Sequence, residues 1–233
     1  MYTEKCYVIN LDHRRDRLNA FYSRLPSDFP WGTPERWQAI HGDSVKHPDW
    51  WTAGNGAWGC YKSHLNILEH CMNNHYDSYT VFEDDSYFRD DFNGLMFDFY
   101  ANLPNDWELV YIGGQLLHTD NHPPEEVCPR VYIPYNVNRT HAFMVRGKRG
   151  MEIMYKFLQA VPFEHGYHID HHLGLLHERR MLKIYCPHKW LVGQIGCSSN
   201  ISGQLTGSTF FDDPYRCAKS RINPFAEIGP AKL

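Results

Sequence analysis

The sequence predicts an α/β fold, a single domain built around a mainly parallel central sheet. Three observations carry that expectation. Short apolar runs of strand length alternate with segments of helical periodicity along the chain. At 233 residues the chain is long enough for one sizeable core and too short for two ordinary domains. No internal repeat or linker-like stretch divides it.

Cys6 to Leu11 (CYVINL) is an apolar run of strand length. Asp12 can cap a helix that continues through Leu18, Phe21 and Leu25, which share helical spacing. A strand, a short polar turn and a helix form the opening of a nucleotide-binding α/β unit. Arg36 to Ile40 reads as a second strand, and His41 to Asn55, rich in Trp, Pro and Gly, as loop. Gly56 to Asn73 predicts a helix with Leu65, Leu68, Cys71 and Met72 near one face. Tyr79 to Phe82 is a short apolar strand that runs straight into Glu83-Asp84-Asp85.

Asp91 to Leu103 reads as helix, and Glu108 to Ile112 as a strand ending at Gly113-Gly114. Glycines there let backbone approach a substrate closely, or serve a plain turn. Leu116 to Pro129 is polar with prolines and reads as loop. Arg130 to Tyr135 and Ala142 to Val145 read as strands, and Gly147 to Ala160 as a helix with Met151, Met154, Phe157 and Leu158 apolar. Asp170 to Arg180 follows as helix and Met181 to Tyr185 as strand. From Gly193 the composition turns to Gly, Ser and Pro. The catalytic domain is therefore expected over residues 1–201 and a loose tail over 202–233.

Composition narrows the classes of function. A hydrophobic content of 42% is that of a globular protein. The net charge of −4, from 23 Lys and Arg against 27 Asp and Glu, offers no general footprint for nucleic acid. No apolar run reaches the ~18 residues that span a membrane. The strand-like run begins at Cys6, and no signal peptide is expected before it. The seven cysteines are odd in number, widely spaced and without a CxxC pair. That pattern fits reduced thiols and a cytoplasmic location better than a disulfide framework or a zinc knuckle. Aromatics, at 15%, suit core filling and also flat platforms for sugars or bases.

Glu83-Asp84-Asp85 is the most informative segment. Adjacent carboxylates repel, so an apolar strand leading into them calls for a compensating charge. A divalent cation with oxygen ligands, manganese or magnesium, supplies it and in turn clamps a diphosphate. The carboxyl end of a sheet strand is also where a ligand crevice is expected. Asp85 is expected to touch the metal, and Glu83 or Asp84 to bind a ribose or a metal-bound water. The alternative is a solvated acidic turn.

Several blocks, taken in order, resemble glycosyltransferase family 25, the group of lipooligosaccharide and collagen-type galactosyltransferases. They are Tyr7 to Leu18 (YVINLDHRRDRL), Gly59 to Leu65 (GCYKSHL), Phe82 to Asp85 (FEDD), Thr140 to Phe143 (THAF), His168 to Leu173 (HIDHHL), and Leu191 to Gln194 with Ser198 to Ile201. The resemblance implies a single GT-A-like, Rossmann-type nucleotide-sugar domain. It implies an inverting, metal-dependent transfer of a hexose, galactose or glucose, from a UDP-sugar donor to an acceptor hydroxyl on a glycan, a protein or a nucleoside.

Matched positions then acquire roles. Asn10 and Asp12 suit uracil or ribose edges, and Arg15 a phosphate. Arg17 can do the same or pair with Asp12. Ser63 and His64 can face the donor, although His64 reads equally well as a satisfied core histidine. Asp170 is the candidate general base, with a helix N-cap as the alternative. His188 is a candidate late-chain metal ligand, and Lys189 a diphosphate contact. Two rivals stand beside this reading. One is a metal-dependent phosphoesterase, because Asp170-His171-His172 spells the DHH signature of one such class. The other is a related domain that binds a nucleotide sugar or a glycan without catalysis. A variant keeps the chemistry and takes a modified nucleobase as acceptor.

Overall fold

The structure, a computed structural model, describes residues 2–160, 163, 168–195 and 210–219. The elements are β1 (Lys5–Asn10), α1 (Arg15–Ser23), β2 (Glu35–Gln38), α2 (Gly54–Asn73), β3 (Ser78–Glu83), β4 (Ser86–Phe88), α3 (Phe92–Asn102) and β5 (Leu109–Leu116). They continue as β6 (Glu125–Cys128), β7 (Val131–Ile133), β8 (Val137–Arg146), α4 (Lys148–Gln159), α5 (Ile169–Glu178), β9 (Ile184–Pro187), β10 (Val192–Gln194) and α6 (Pro214–Lys219).

An eight-stranded sheet in the order β2-β1-β3-β8-β5-β9-β7-β6 forms the centre. Strands β2, β1, β3, β5, β9 and β6 share one direction, and only β8 and β7 oppose it. The expected α/β architecture with a mainly parallel sheet is therefore observed.

Alternation along each strand sends successive side chains to opposite faces. Tyr7 and Ile9 of β1, Tyr79 and Val81 of β3, and Tyr111 of β5 join one core with residues of α2, α4 and α5. Val8, Phe82, Val110 and Ile112 point the other way, into a core shared with α1 and α3. Both faces of the sheet are thus covered by helices, which explains why its strands read as near-continuous apolar runs.

Several elements differ from the expectation. Asp12 does not cap α1, because its carboxylate is taken by Arg36 at 2.6 Å and Gln38 at 2.5 Å. Strand β5 continues past Gly113 to Leu116, since the long β8 pairs along it through register shifts on either side of Gly113. A Cβ on Gly113 would lie 2.4 Å from both His141 Nε2 and the Val192 carbonyl oxygen, so the glycine serves close approach rather than a turn. Edge strand β6 forms inside the expected loop by pairing with β7.

Beyond Gly193 the chain is not uniformly loose. β10 pairs antiparallel with β4, joining Gln194 to Ser86. Residues 210–219 pack on the body: the Asp213 carboxylate accepts hydrogen bonds from Arg89 at 2.9 Å and from the Trp190 amide at 3.0 Å. Cys197, the matched block Ser198 to Ile201 and the expected domain boundary at 201/202 lie outside the described residues. Among the described residues no helix is long and apolar enough to cross a membrane.

Candidate active site

A cavity of about 300 Å³ opens at the carboxyl ends of β1 and β3 and along α2. Asn10, Ser63, His64, Glu83, Asp84 and Asp85, all singled out from sequence, line it together, joined by His13, Arg17 and Cys60. One wall is backbone. A Cβ on Gly59 would come within 2.5 Å of the Ile40 carbonyl oxygen, so α2 presses directly against the chain that follows β2. Ser63 stitches this seam: its hydroxyl donates to the Gly59 carbonyl at 2.7 Å and accepts from the Ile40 amide at 2.8 Å.

The three carboxylates are separated by their partners. Glu83 accepts hydrogen bonds from Thr140 at 2.7 Å and shares a 3.3 Å contact with His64 Nε2. Burial would raise its carboxyl, but His64 and Thr140 outweigh burial and hold it down at about 2. Asp84 is buried and faces Arg17 at 2.5 Å, while the Asn10 amide donates to it at 2.7 Å. Arg17 also reaches Asp85, at 3.2 Å. Part of the compensating charge expected from a cation is therefore already supplied by Arg17. Asn10 is engaged at both ends of its amide, by Asp84 and by Arg36, so it braces the cluster.

Asp85 is the least satisfied member. Its Oδ1 is buried and has no hydrogen-bond partner among the described residues. Burial, and then the charge of Glu83, push its carboxyl up to about 7 against the pull of Arg17 and Gln194. Strand β10 positions it: the Ile195 amide donates to the Asp85 carbonyl at 2.8 Å. A buried carboxylate oxygen with no donor among the described residues, in a group driven toward neutrality by its own neighbours, lacks a positive charge. Asp85 therefore fits a divalent cation, whereas Asp84 beside it already has Oδ1 on Arg17 and Oδ2 on Asn10.

Asp170 sits in the first turn of α5. It is not the N-cap, a place taken by His168. Its Oδ2 accepts from the Arg139 amide at 3.2 Å and its Oδ1 from the His171 amide at 2.9 Å. Asp170 does not line the cavity. Burial, followed by the charge of Glu83, raises the Cys60 thiol well above its usual range.

Other expected residues lie elsewhere. Asp12 and Arg15 are on the outer surface, 55% and 62% exposed at the side chain, 3.8 Å apart, and neither lines the cavity. His188 follows β9, which β8 and β5 separate from β3; three strand spacings amount to about 14 Å. Its backbone ties to Arg130 and Tyr215, and burial with the charges of Arg130 and Lys189 lowers its pKa. Neither His188 nor Lys189 lines the cavity. His172 is buried, with rings of Phe157 and Phe163 stacked at 4.5 and 3.9 Å and its Nε2 bonded to the Phe157 carbonyl at 2.9 Å. It is a core residue, and the phosphoesterase reading loses its second histidine ligand.

Sequence reasoning passed over Cys60, Thr140, His13 and Gln194 as site residues. The signal for the first was present: Cys60 and His64, four apart on α2, share one helix face.

Several known proteins are similar to this chain. It is 24% identical over 216 residues to procollagen galactosyltransferase 1-A of Xenopus laevis, covering 79% of this chain and 33% of that protein. It is 25% identical over 138 residues to procollagen galactosyltransferase 1 of Danio rerio, covering 57% and 22%. With inactive glycosyltransferase 25 family member 3 of Homo sapiens it shares 27% identity over 145 residues, 60% of this chain and 23% of the other. The chain thus spans about a fifth to a third of the length of these relatives. Among solved structures, a glycosyltransferase involved in glycosylation of the major capsid of PBCV-1 is similar at a TM-score of 0.40 and 9% identity, covering 91% of this chain and 82% of that one. A197 from STIV is similar at 0.41 and 11%, covering 82% and 84%. Residues 3–175 match the family described as glycosyltransferase family 25 (LPS biosynthesis protein), and with most of its length so matched the chain belongs to that family.

Proposed function

We propose that the chain is an inverting, metal-dependent glycosyltransferase. It moves a hexose, galactose or glucose, from a UDP-sugar to a hydroxyl of a glycan, a protein or a modified nucleoside. The observation that carries this reading is the buried Oδ1 of Asp85, without a partner among the described residues, at the edge of a cavity formed by the carboxyl ends of β1 and β3. Family membership supplies the reaction class.

Asp85, with Asp84 beside it, would hold manganese or magnesium, which when bound would offset the charge that grows on a departing diphosphate. Arg17 keeps the two carboxylates from repelling each other before the donor arrives and offers its remaining N–H groups to phosphate oxygens. Ser63 and Gly59 keep the α2 wall close, so nucleotide and sugar share a narrow cleft. Asp170 takes the proton of the acceptor hydroxyl as the new glycosidic bond forms. The catalytic unit is placed at residues 1–201. The thiols Cys6, Cys60, Cys71, Cys128 and Cys186 support a reducing, cytoplasmic setting.

The test is a thermal-shift screen of nucleoside diphosphate sugars with and without manganese. A UDP-hexose is expected to raise the melting temperature only when the metal is present. A panel in which no nucleotide sugar shifts the melt, or in which the shift ignores metal, would refute the reading.

A further inference from the structure

We propose that Cys60, His64 and Glu83 form a second cation site in this cavity, one for a thiophilic divalent ion of the Zn²⁺ class, separate from the Asp84–Asp85 carboxylates. The ligand atoms of these three residues, a sulfur, an imidazole nitrogen and a carboxylate oxygen, all lie within 4.8 Å of one another. His64 Nε2 and Glu83 Oε1 are 3.3 Å apart. A tetrahedral ion with bonds of about 2.0–2.1 Å to nitrogen and oxygen and about 2.3 Å to sulfur sets its ligands about 3.3–3.6 Å apart. The His64–Glu83 separation matches that edge, and the Cys60 sulfur lies within 4.8 Å of both.

The ligands are also held in place. Cys60 and His64 stand four residues apart on α2 and share one face, while Glu83 comes from the end of β3. Thr140 donates to Glu83 and orients its carboxylate, and the Phe143 ring stacks on His64 at 5.6 Å between centroids. All three residues line the cavity, which leaves a fourth coordination position open to solvent or ligand. Thiolate and imidazole favour zinc over manganese or magnesium, whereas the Asp84–Asp85 oxygens favour the harder ions. On binding, the Cys60 S–H bond breaks, a sulfur–metal bond forms and the proton passes to solvent. The site stands on its own geometry and needs no nucleotide, so its failure and that of the donor-binding reading are separable.

Cobalt titration of the full chain, freed of metal by chelator, tests it. Wild type is expected to bind one Co²⁺ that gives a sulfur-to-cobalt charge-transfer band and the strong visible absorption of a tetrahedral ion, a signal abolished by stoichiometric Zn²⁺ and not by excess Mn²⁺, whatever cobalt the Asp84–Asp85 oxygens also take. Cys60→Ser is expected to lose the charge-transfer band. His64→Gln is expected to keep the band while affinity falls more than about tenfold, at least the loss that removal of a mere supporting contact produces. Asp85→Asn is expected to keep the charge-transfer band at wild-type intensity. No charge-transfer band in wild type, a band that survives Cys60→Ser, or a band lost in Asp85→Asn overturns the proposal. Wild type and His64→Gln decide the matter even if Cys60→Ser fails to fold.

Discussion

Replacing Asp85 by Asn removes one charge from the cavity while keeping the shape of the side chain. In wild type the Asp85 carboxyl is pushed from 3.8 up to about 7, by burial first and by the Glu83 charge second. Between those values the native protein holds a proton that the unfolded chain has lost. A pKa raised on folding contributes stability that is present at low pH and disappears as pH rises through the folded value. From pH 5 to pH 8 the loss is about 2–3 kcal/mol, or roughly 5–10 °C in melting temperature for a chain of this size. Asn does not titrate, so the melting temperature of Asp85→Asn relative to wild type should climb by that amount over the same interval. Manganese at about a hundredfold excess over its Kd should return about 2.7 kcal/mol to wild type at pH 8 and nothing to the variant. Differential scanning fluorimetry of both proteins at several pH values, with and without manganese, reads all of this. A gap independent of pH, or equal stabilisation of both proteins by manganese, would refute the assignment of Asp85 as the electrostatically unsatisfied metal ligand.

Three further outcomes are expected. Asp170→Asn should lower transfer by about 10²–10⁴-fold with donor affinity preserved, as measured by steady-state turnover beside donor titration; an equal loss of donor binding would remove it from the role of base. Arg17→Met leaves Asp84 and Asp85 without their shared cation at sites where the Arg17 and Asp84 side chains are only 13% and 9% exposed. The metal-free protein should lose about 3–5 kcal/mol, with manganese restoring more than it gives wild type, as followed by chemical denaturation. Gly113→Ala puts a methyl group 2.4 Å from the His141 ring and the Val192 carbonyl, and should cost about 1–3 kcal/mol in urea unfolding. Unchanged stability would show that β10 yields freely there.

Much of the architecture was legible in sequence because periodicity reports which faces are buried. Runs such as CYVINL and YTVF are apolar throughout since helices cover both faces of their sheet, and they appear as β1 and β3. The apolar spacing within Gly56 to Asn73 appears as α2. Short strands were harder. β4, β6 and β10 have three or four residues each, exist only because a partner lies beside them, and carry no periodicity long enough to see. The same holds for Asp213, whose burial depends on Arg89 and Trp190 far away in the chain.

Residue order was enough for the α/β class, the strand that delivers three carboxylates to a sheet end, and the family to which the chain belongs. Packing divides those carboxylates: Glu83 toward His64 and Thr140, Asp84 toward Arg17 and Asn10, and Asp85 left with an oxygen unpaired among the described residues. It also decided that His188 belongs to a distant strand end and that Cys60 joins His64 beside Glu83. The physical reason is that residue type and spacing govern local conformation and burial, whereas the charge state of a buried acid follows from which remote side chains strand order and helix packing bring within a few ångströms of it.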